Sequence, residues 1–143
     1  MSLFKQIKLA SGLILSNRIV KAAMEENMAN TGQMPDEAIY NLYSAWAEGG
    51  VGLIITGNVM IDPLAMTGPA GIALRKGVDL APFEKWALIS KSHGAKIVMQ
   101  INHPGRQVYK SMGGKVLSPS DIALNLGKHS SMFSQPKAMT EAD

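Results

Sequence analysis

At residues 96–107 the chain reads KIVMQINHPGRQ. Ile97, Val98 and Met99 are apolar in a row, as in a strand covered on both faces. Gln100, Asn102, His103 and Arg106 follow at once. An amide offers a donor and an acceptor side by side, an imidazole exchanges a proton near neutral pH, and a guanidinium presents a fork of donors. Such a set at a strand end can hold a polar ligand. Each member also has a plainer use. Gln100 can satisfy backbone groups at a sheet rim, and His103 can bond a loop carbonyl. Arg106 can pair with Glu25, Glu26 or Asp121, and Glu25-Glu26 can be a solvated pair.

Other segments end the same way. Residues 18–22 (RIVKA) and 52–56 (GLIIT) read as buried strands. The first runs into Ala22, Ala23, Met24, Glu25, Glu26 and Asn27. The second ends in Thr56, Gly57 and Asn58. Between the strands lie helical patterns. In PDEAIYNLYSAWAEGG, Ile39, Leu42, Tyr43 and Trp46 share a face; Pro35 suits the first turn and Gly49-Gly50 the stop. In DLAPFEKWALISKSHGAK, Phe83, Trp86, Ala87 and Ser90 share a face, Asp79 can cap the start and Gly94 can end it. The order strand–helix–strand–helix–strand predicts an α/β fold with parallel strands and right-handed crossovers. Folds of this kind place ligands at the carboxyl ends of the strands, where the polar and small residues cluster. Ahead of the first strand, IKLASGLIL predicts a small hairpin. Residues 104–138 are rich in Gly, Ser and Pro and read as a long loop, ordered only around VLSPSDIAL. Thr140 through Asp143 reads as a helix start, with Thr140 as the cap and an acid at the third position after it.

Composition narrows the function. The 143 residues suit one small domain, at 46% hydrophobic and 17% charged. The absence of cysteine removes disulfides, thiolate zinc sites and thiol nucleophiles. It fits a reducing cytoplasm, and equally a cysteine-free secreted protein. No apolar run approaches the roughly 20 residues of a membrane-spanning helix. The net charge of +3 is scattered, without aromatic interleaving, so a solvated surface is the expectation and a nucleic-acid face is not. His93, His103 and His129 lack the spacing of a metal site. No GxSxG, P-loop or GxGxxG is present.

NRIVKAAM (17–24), WAEGGVGLIITGNVMID (46–62), QINHPGRQ (100–107), LSPSDIAL (117–124) and AMTEAD (138–143) together resemble the N-terminal part of the old yellow enzyme family, in the NADH:flavin oxidoreductase branch that includes 2,4-dienoyl-CoA reductases. The resemblance implies an eight-stranded (β/α)8 TIM barrel. This chain would cover its N-terminal hairpin and roughly the first three βα units, so 1–143 is expected to be an incomplete portion of one FMN-binding domain. Such enzymes take hydride from NADH or NADPH onto flavin N5 and pass it to an activated alkene. By the resemblance, Gln100 would bond the pyrimidine edge of FMN, Ala23 and Met24 would lie along the O4–N5 side, and Gly57 and Asn58 would sit near the pyrimidine end. His103 and Arg106 match the family's H-x-G-R element, which shapes the site edge. No catalytic residue and no metal ligand falls within the chain. A cytoplasmic location is expected for this protein, and a homo-oligomer when it is full length.

The chain departs from the family's pattern at Glu25, where Thr, Ser or Cys is usual beside flavin O4. A carboxylate there would oppose negative charge on reduced flavin. A complete barrel takes about 250 residues, so the chain is expected to be part of a longer enzyme. Alone it would fold poorly and bind FMN weakly. Two alternatives stay open: a different (β/α) barrel enzyme, and a non-catalytic fragment that binds a partner through exposed strand edges. For a Schiff-base aldolase, Lys21 and Lys96 are the only strand lysines, and neither has an obvious activating context.

Overall fold

A computed structural model describes residues 2–143. The chain opens with an antiparallel hairpin, β1 (Ile7–Lys8) and β2 (Ile14–Leu15). Its turn closes through Leu9 N–H to Leu13 O at 2.8 Å, with Gly12 at φ 87°. After β3 (Val20–Lys21) come α1 (Glu37–Glu48), β4 (Leu53–Met60), β5 (Ile72–Ala73), α2 (Ala81–Ser90) and β6 (Lys96–Asn102). Strand β4 is central. It pairs in parallel with β6 on one edge, and with β3 and then β5 on the other.

Helix α1 starts where Asp36 accepts from the Ala38 amide at 3.1 Å, and ends at Gly49, with Gly50 at φ 77°. Pro35 therefore lies before the cap rather than inside the first turn. Asp79 accepts from the Ala81 amide at 3.0 Å but stands one residue before the N-cap of α2, which is Leu80 and carries no side-chain cap, so Asp79 is not the cap that its position suggested. The expected stripes are buried with adjustments. Ile39 and Tyr43 are joined by Tyr40 and Ala47, while Leu42 and Trp46 are half-buried against them. On α2, Phe83, Trp86 and Ser90 are buried and Ala87 is half-buried. The helices pack together over one face of the sheet, on Ile54, Val59, Ile72 and Ala95. Trp86 meets Tyr43 edge-on at 4.9 Å between ring centroids, a favoured aromatic geometry.

The structure corrects the sequence reading in several places. The first strand is shorter than 18–22, because residues 22–28 peel away from β4 and form no backbone hydrogen bond with other described residues. The second strand runs past Thr56 to Met60, and β5 takes the edge that residues 22–28 vacate. The segment after β6 is not a loose loop. It holds two 3-10 turns and a parallel pair, β7 (Leu117–Ser118) with β8 (Lys137–Ala138). Tyr109 and Phe133 stack at 4.7 Å. Thr140 donates its amide and hydroxyl to Asp143 Oδ2 at 3.0 and 2.9 Å, which draws that carboxyl below its usual range. Residues 140–143 form a turn, not a helix. No helix among the described residues is long and apolar enough to cross a membrane.

The hairpin is tied to the sheet by Asn17. Its Nδ2 donates to Gly50 O at 2.7 Å and its Oδ1 accepts from the Ile19 amide at 3.0 Å. Gly52 lies so close that a Cβ there would sit 2.6 Å from Asn17 O. In the folded protein, Asn17→Ala should cost about 2 kcal/mol, since it leaves an amide and a carbonyl unpaired in a crowded place. Urea denaturation measures this, and a loss below about 0.5 kcal/mol would place water in the vacated position.

Candidate functional site

Side chains paired across a sheet in register point to the same face. Ile54 is paired with Ile97, and both pack toward the helices. Leu53 with Lys96, and Ile55 with Val98, therefore face the opposite, open side. Simple alternation would then send Asn58 toward the helices. A β-bulge prevents this. Between Ile55 and Asn58 the register shifts, so that Thr56 and Gly57 together oppose Met99. After the bulge Val59 faces the helices, and Asn58 lies beside Gln100 on the open face.

The bulge is held by specific groups. Thr56 Oγ1 accepts from the Gln100 amide at 2.9 Å and donates to Gly57 O at 2.8 Å. The Gly57 amide, freed from the ladder, donates to Tyr43 Oη at 3.1 Å. Gln100 Nε2 donates to Asn58 Oδ1 at 2.8 Å. Among the described residues, Gln100 Oε1 and Asn58 Nδ2 have no partner, so the pair presents an acceptor and a donor to the open face. Residues 22–25 are exposed, and their backbone groups are likewise free.

Below this surface lies a buried ionic cluster. Lys21 Nζ donates to Glu26 Oε1 and to Ile55 O, both at 3.1 Å. The side chains of Lys21 and Glu26 are only 5% and 7% exposed, so water screens them little. Tyr43 donates to the same Glu26 oxygen at 2.8 Å. The Lys21 ammonium also sits 4.3 Å from the Trp46 ring centroid, a cation–π contact. Burial, then the hydrogen bond to Glu26 and its charge, push the Tyr43 phenol well above its usual range. Glu26 is therefore not half of a solvated pair, and Lys21 has a definite context, an ion pair.

The remaining candidates are placed as follows. Ala23, Met24 and Glu25 lie on the exposed stretch, Met24 53% exposed. Glu25 accepts from the Thr67 hydroxyl, which comes from the β4–β5 loop. Gly57 is buried behind that stretch, and a Cβ on it would overlap the Met24 carbonyl and the Glu26 carboxylate. His103 Nδ1 accepts from the Gly105 amide at 3.1 Å instead of bonding a carbonyl. It lines a cleft of about 590 Å³ with Ile61, Lys115, Leu117 and Met139. Arg106 reaches the Ile122 and Ala123 carbonyls at 3.4 Å and pairs with none of the acids considered for it. Sequence reasoning placed Thr56 at a strand end without its role in the bulge, and missed Thr67 and the Lys21–Glu26–Tyr43 cluster. The signal for the cluster was a lysine inside an apolar strand, with Glu26 shortly after it and Tyr43 and Trp46 on a neighbouring helix.

Residues 2–143 match the family described as NADH:flavin oxidoreductase / NADH oxidase. The chain belongs to that family. The NADH-dependent flavin oxidoreductase iliE of Hypocrea jecorina is 38% identical over 85% of this chain and 32% of its own length. The NADH-dependent flavin oxidoreductase iccE of Talaromyces variabilis is 33% identical over 99% of this chain and 38% of its own. Among solved structures, morphinone reductase superposes with a TM-score of 0.83 at 21% identity, over 99% of this chain and 40% of that one. The chain thus spans about a third of these curated relatives and two fifths of that structural neighbour. The parallel β3–β4–β6 sheet with its outer helices is part of a (β/α)8 barrel. The open face of the sheet is the barrel's interior side.

Two outcomes test the buried cluster. Lys21→Met should cost about 3–5 kcal/mol, because it strands the Glu26 charge, and adding Glu26→Gln should recover much of that. Denaturant titration of the single and double variants reads this out; a double variant no better than the single would mean that packing dominates. The second outcome concerns pH. Unfolded, Tyr43 ionises near its ordinary value of about 10; folded, it keeps its proton above that. Its contribution is full below pH ~10 and is lost as pH rises further, at up to about 1.4 kcal/mol per pH unit. Denaturation across about pH 9 to 11 should show this fall, with a shallower slope in Tyr43→Phe.

Proposed function

We propose that this chain is the cofactor-facing part of an FMN-dependent NAD(P)H oxidoreductase of the ene-reductase type, acting on an activated alkene such as an enone or enoyl thioester. The observation that carries the reading is the Asn58–Gln100 pair on the open face, bonded to each other and still offering a free donor and a free acceptor. The isoalloxazine pyrimidine edge presents carbonyls and an imide N–H, a pattern that such a pair complements. The residues present fit the cofactor in a second respect. The backbone of residues 22–25 is exposed and unpaired, and the small Ala22 and Ala23 let a flat ring approach it.

Bound there, FMN would supply the two-electron chemistry, accepting hydride from NADH or NADPH and donating it to the alkene β-carbon. The chain's own share is binding and orientation. Gln100 and Asn58 fix one edge of the site. Ile55 and Val98 give the same face an apolar floor that limits water. Glu25, held by Thr67, places its carboxyl group at the rim. The names of the relatives, NADH-dependent flavin oxidoreductases, support the flavin and nicotinamide parts of this reading. The alkene rests on the old yellow enzyme resemblance.

The test uses the complete polypeptide that carries this chain. It should bind FMN, be bleached by NADH or NADPH without oxygen, and regain its colour on addition of an enone. A polypeptide that never takes up FMN overturns the reading, and one that is bleached but never reoxidised by an alkene overturns the substrate class. Gln100→Leu should weaken FMN binding by about tenfold, the worth of one lost hydrogen bond. Glu25→Thr should raise the flavin midpoint potential, read by dye-coupled reduction; an unchanged potential would mean that Thr67 holds the carboxylate out of range.

A further inference from the structure

The stretch that carries Ala23, Met24 and Glu25 makes no backbone hydrogen bond among the described residues with which to hold its position. Its ends do that work. Lys21 precedes it and Glu26 follows it, and the two side chains meet in the buried ion pair at 3.1 Å. The chain leaves the sheet after Lys21 and, five residues on, the Glu26 side chain reaches back to it, so residues 22–25 form an arch whose ends are joined by charge. The arch is then fixed to its surroundings. Lys21 donates to Ile55 O on β4, and Tyr43 of α1 donates to Glu26 while accepting from the Gly57 amide. Gly57 sits against Met24 O and Glu26 with no room for a side chain.

We propose that Lys21, Glu26 and Tyr43 form a clamp that positions the flavin-facing backbone of residues 22–25 relative to the Asn58–Gln100 pair. The inference rests on the flavin reading above. These are positioning residues: all three lie behind the site, toward the helices, and act through the backbone. Both walls of the site depend on them. Ile55 and Gly57, which the clamp grips, flank Thr56 in the bulge that turns Asn58 to the open face. Tyr43 supplies the partner that the bulge denies to the Gly57 amide. Releasing the clamp frees the arch and loosens the bulge together, so its effect should appear in the cofactor and not only in stability.

The experiment uses the complete FMN-loaded polypeptide, with Lys21→Met, Lys21→Arg and Tyr43→Phe compared with wild type. The readouts are the FMN dissociation constant, the flavin midpoint potential and the visible circular dichroism of the bound ring. Lys21→Met and Tyr43→Phe should each weaken FMN by tenfold or more and change the dichroism and the potential. Lys21→Arg, which keeps the charge, should restore a large part of each. Tyr43→Phe removes only a hydroxyl, so it carries the test if Lys21→Met does not fold. Wild-type affinity, dichroism and potential in a folded Tyr43→Phe or Lys21→Met variant would overturn the clamp. A wild-type polypeptide that takes up no FMN would instead overturn the flavin reading on which the clamp depends.

Discussion

The Lys21–Glu26 ion pair is the constraint around which the rest of the structure is arranged. Charges this deep cost several kcal/mol each to desolvate, so they persist only with close partners on every side. Those partners come from separate elements: the Ile55 carbonyl on β4, and the Tyr43 hydroxyl and the Trp46 ring on α1. Satisfying the pair thus requires strand and helix to be docked in one register. Tyr43 is at once a wall of the ionic cluster and, through Trp86, a member of the apolar core. The polar cluster and the core cannot be assembled independently.

The bulge in β4 follows from the same arrangement. A regular strand would leave no free amide for Tyr43 and would turn Asn58 inward among Ile39, Ile72 and Trp86. An unpaired amide side chain there would be costly. The extra residue resolves both problems, and Gly57 is the residue that permits it, because Met24 and Glu26 press against its Cα. A site feature, the side-by-side amides of Asn58 and Gln100, is in this sense a packing consequence of a glycine that faces the other way.

The strands, the helices and their parallel order were legible because apolar runs and helical spacing report burial directly. Gln100 and the polar strand ends were legible for the opposite reason: polar residues interrupt a pattern that burial would otherwise continue. The Lys21–Glu26 pairing was not legible. A lone lysine in a strand and two adjacent glutamates look solvated until the fold brings an aromatic helix over them. The segment after β6 was misread because its order comes from distant partners, Leu117 with Lys137 and Tyr109 with Phe133, which leave no periodic trace. The extension of β4 was hidden by Gly57, which reads as a strand end and is a bulge.

That same segment has a bearing on how such a scaffold can diversify. Tyr109 and Phe133 stack across its base, Ser134 N–H bonds Val108 O at 2.9 Å, and β7 and β8 pair beside them. The excursion is thus sealed near its own root, and most of residues 119–132 lie at the surface, beyond the seal. Lengthening a flexible surface loop costs only about 0.6 kcal/mol for each doubling of its length. Outside the stretch where Arg106 holds the Ile122 and Ala123 carbonyls, its outer turns can therefore lengthen at little cost while the parallel sheet beneath them stays as it is.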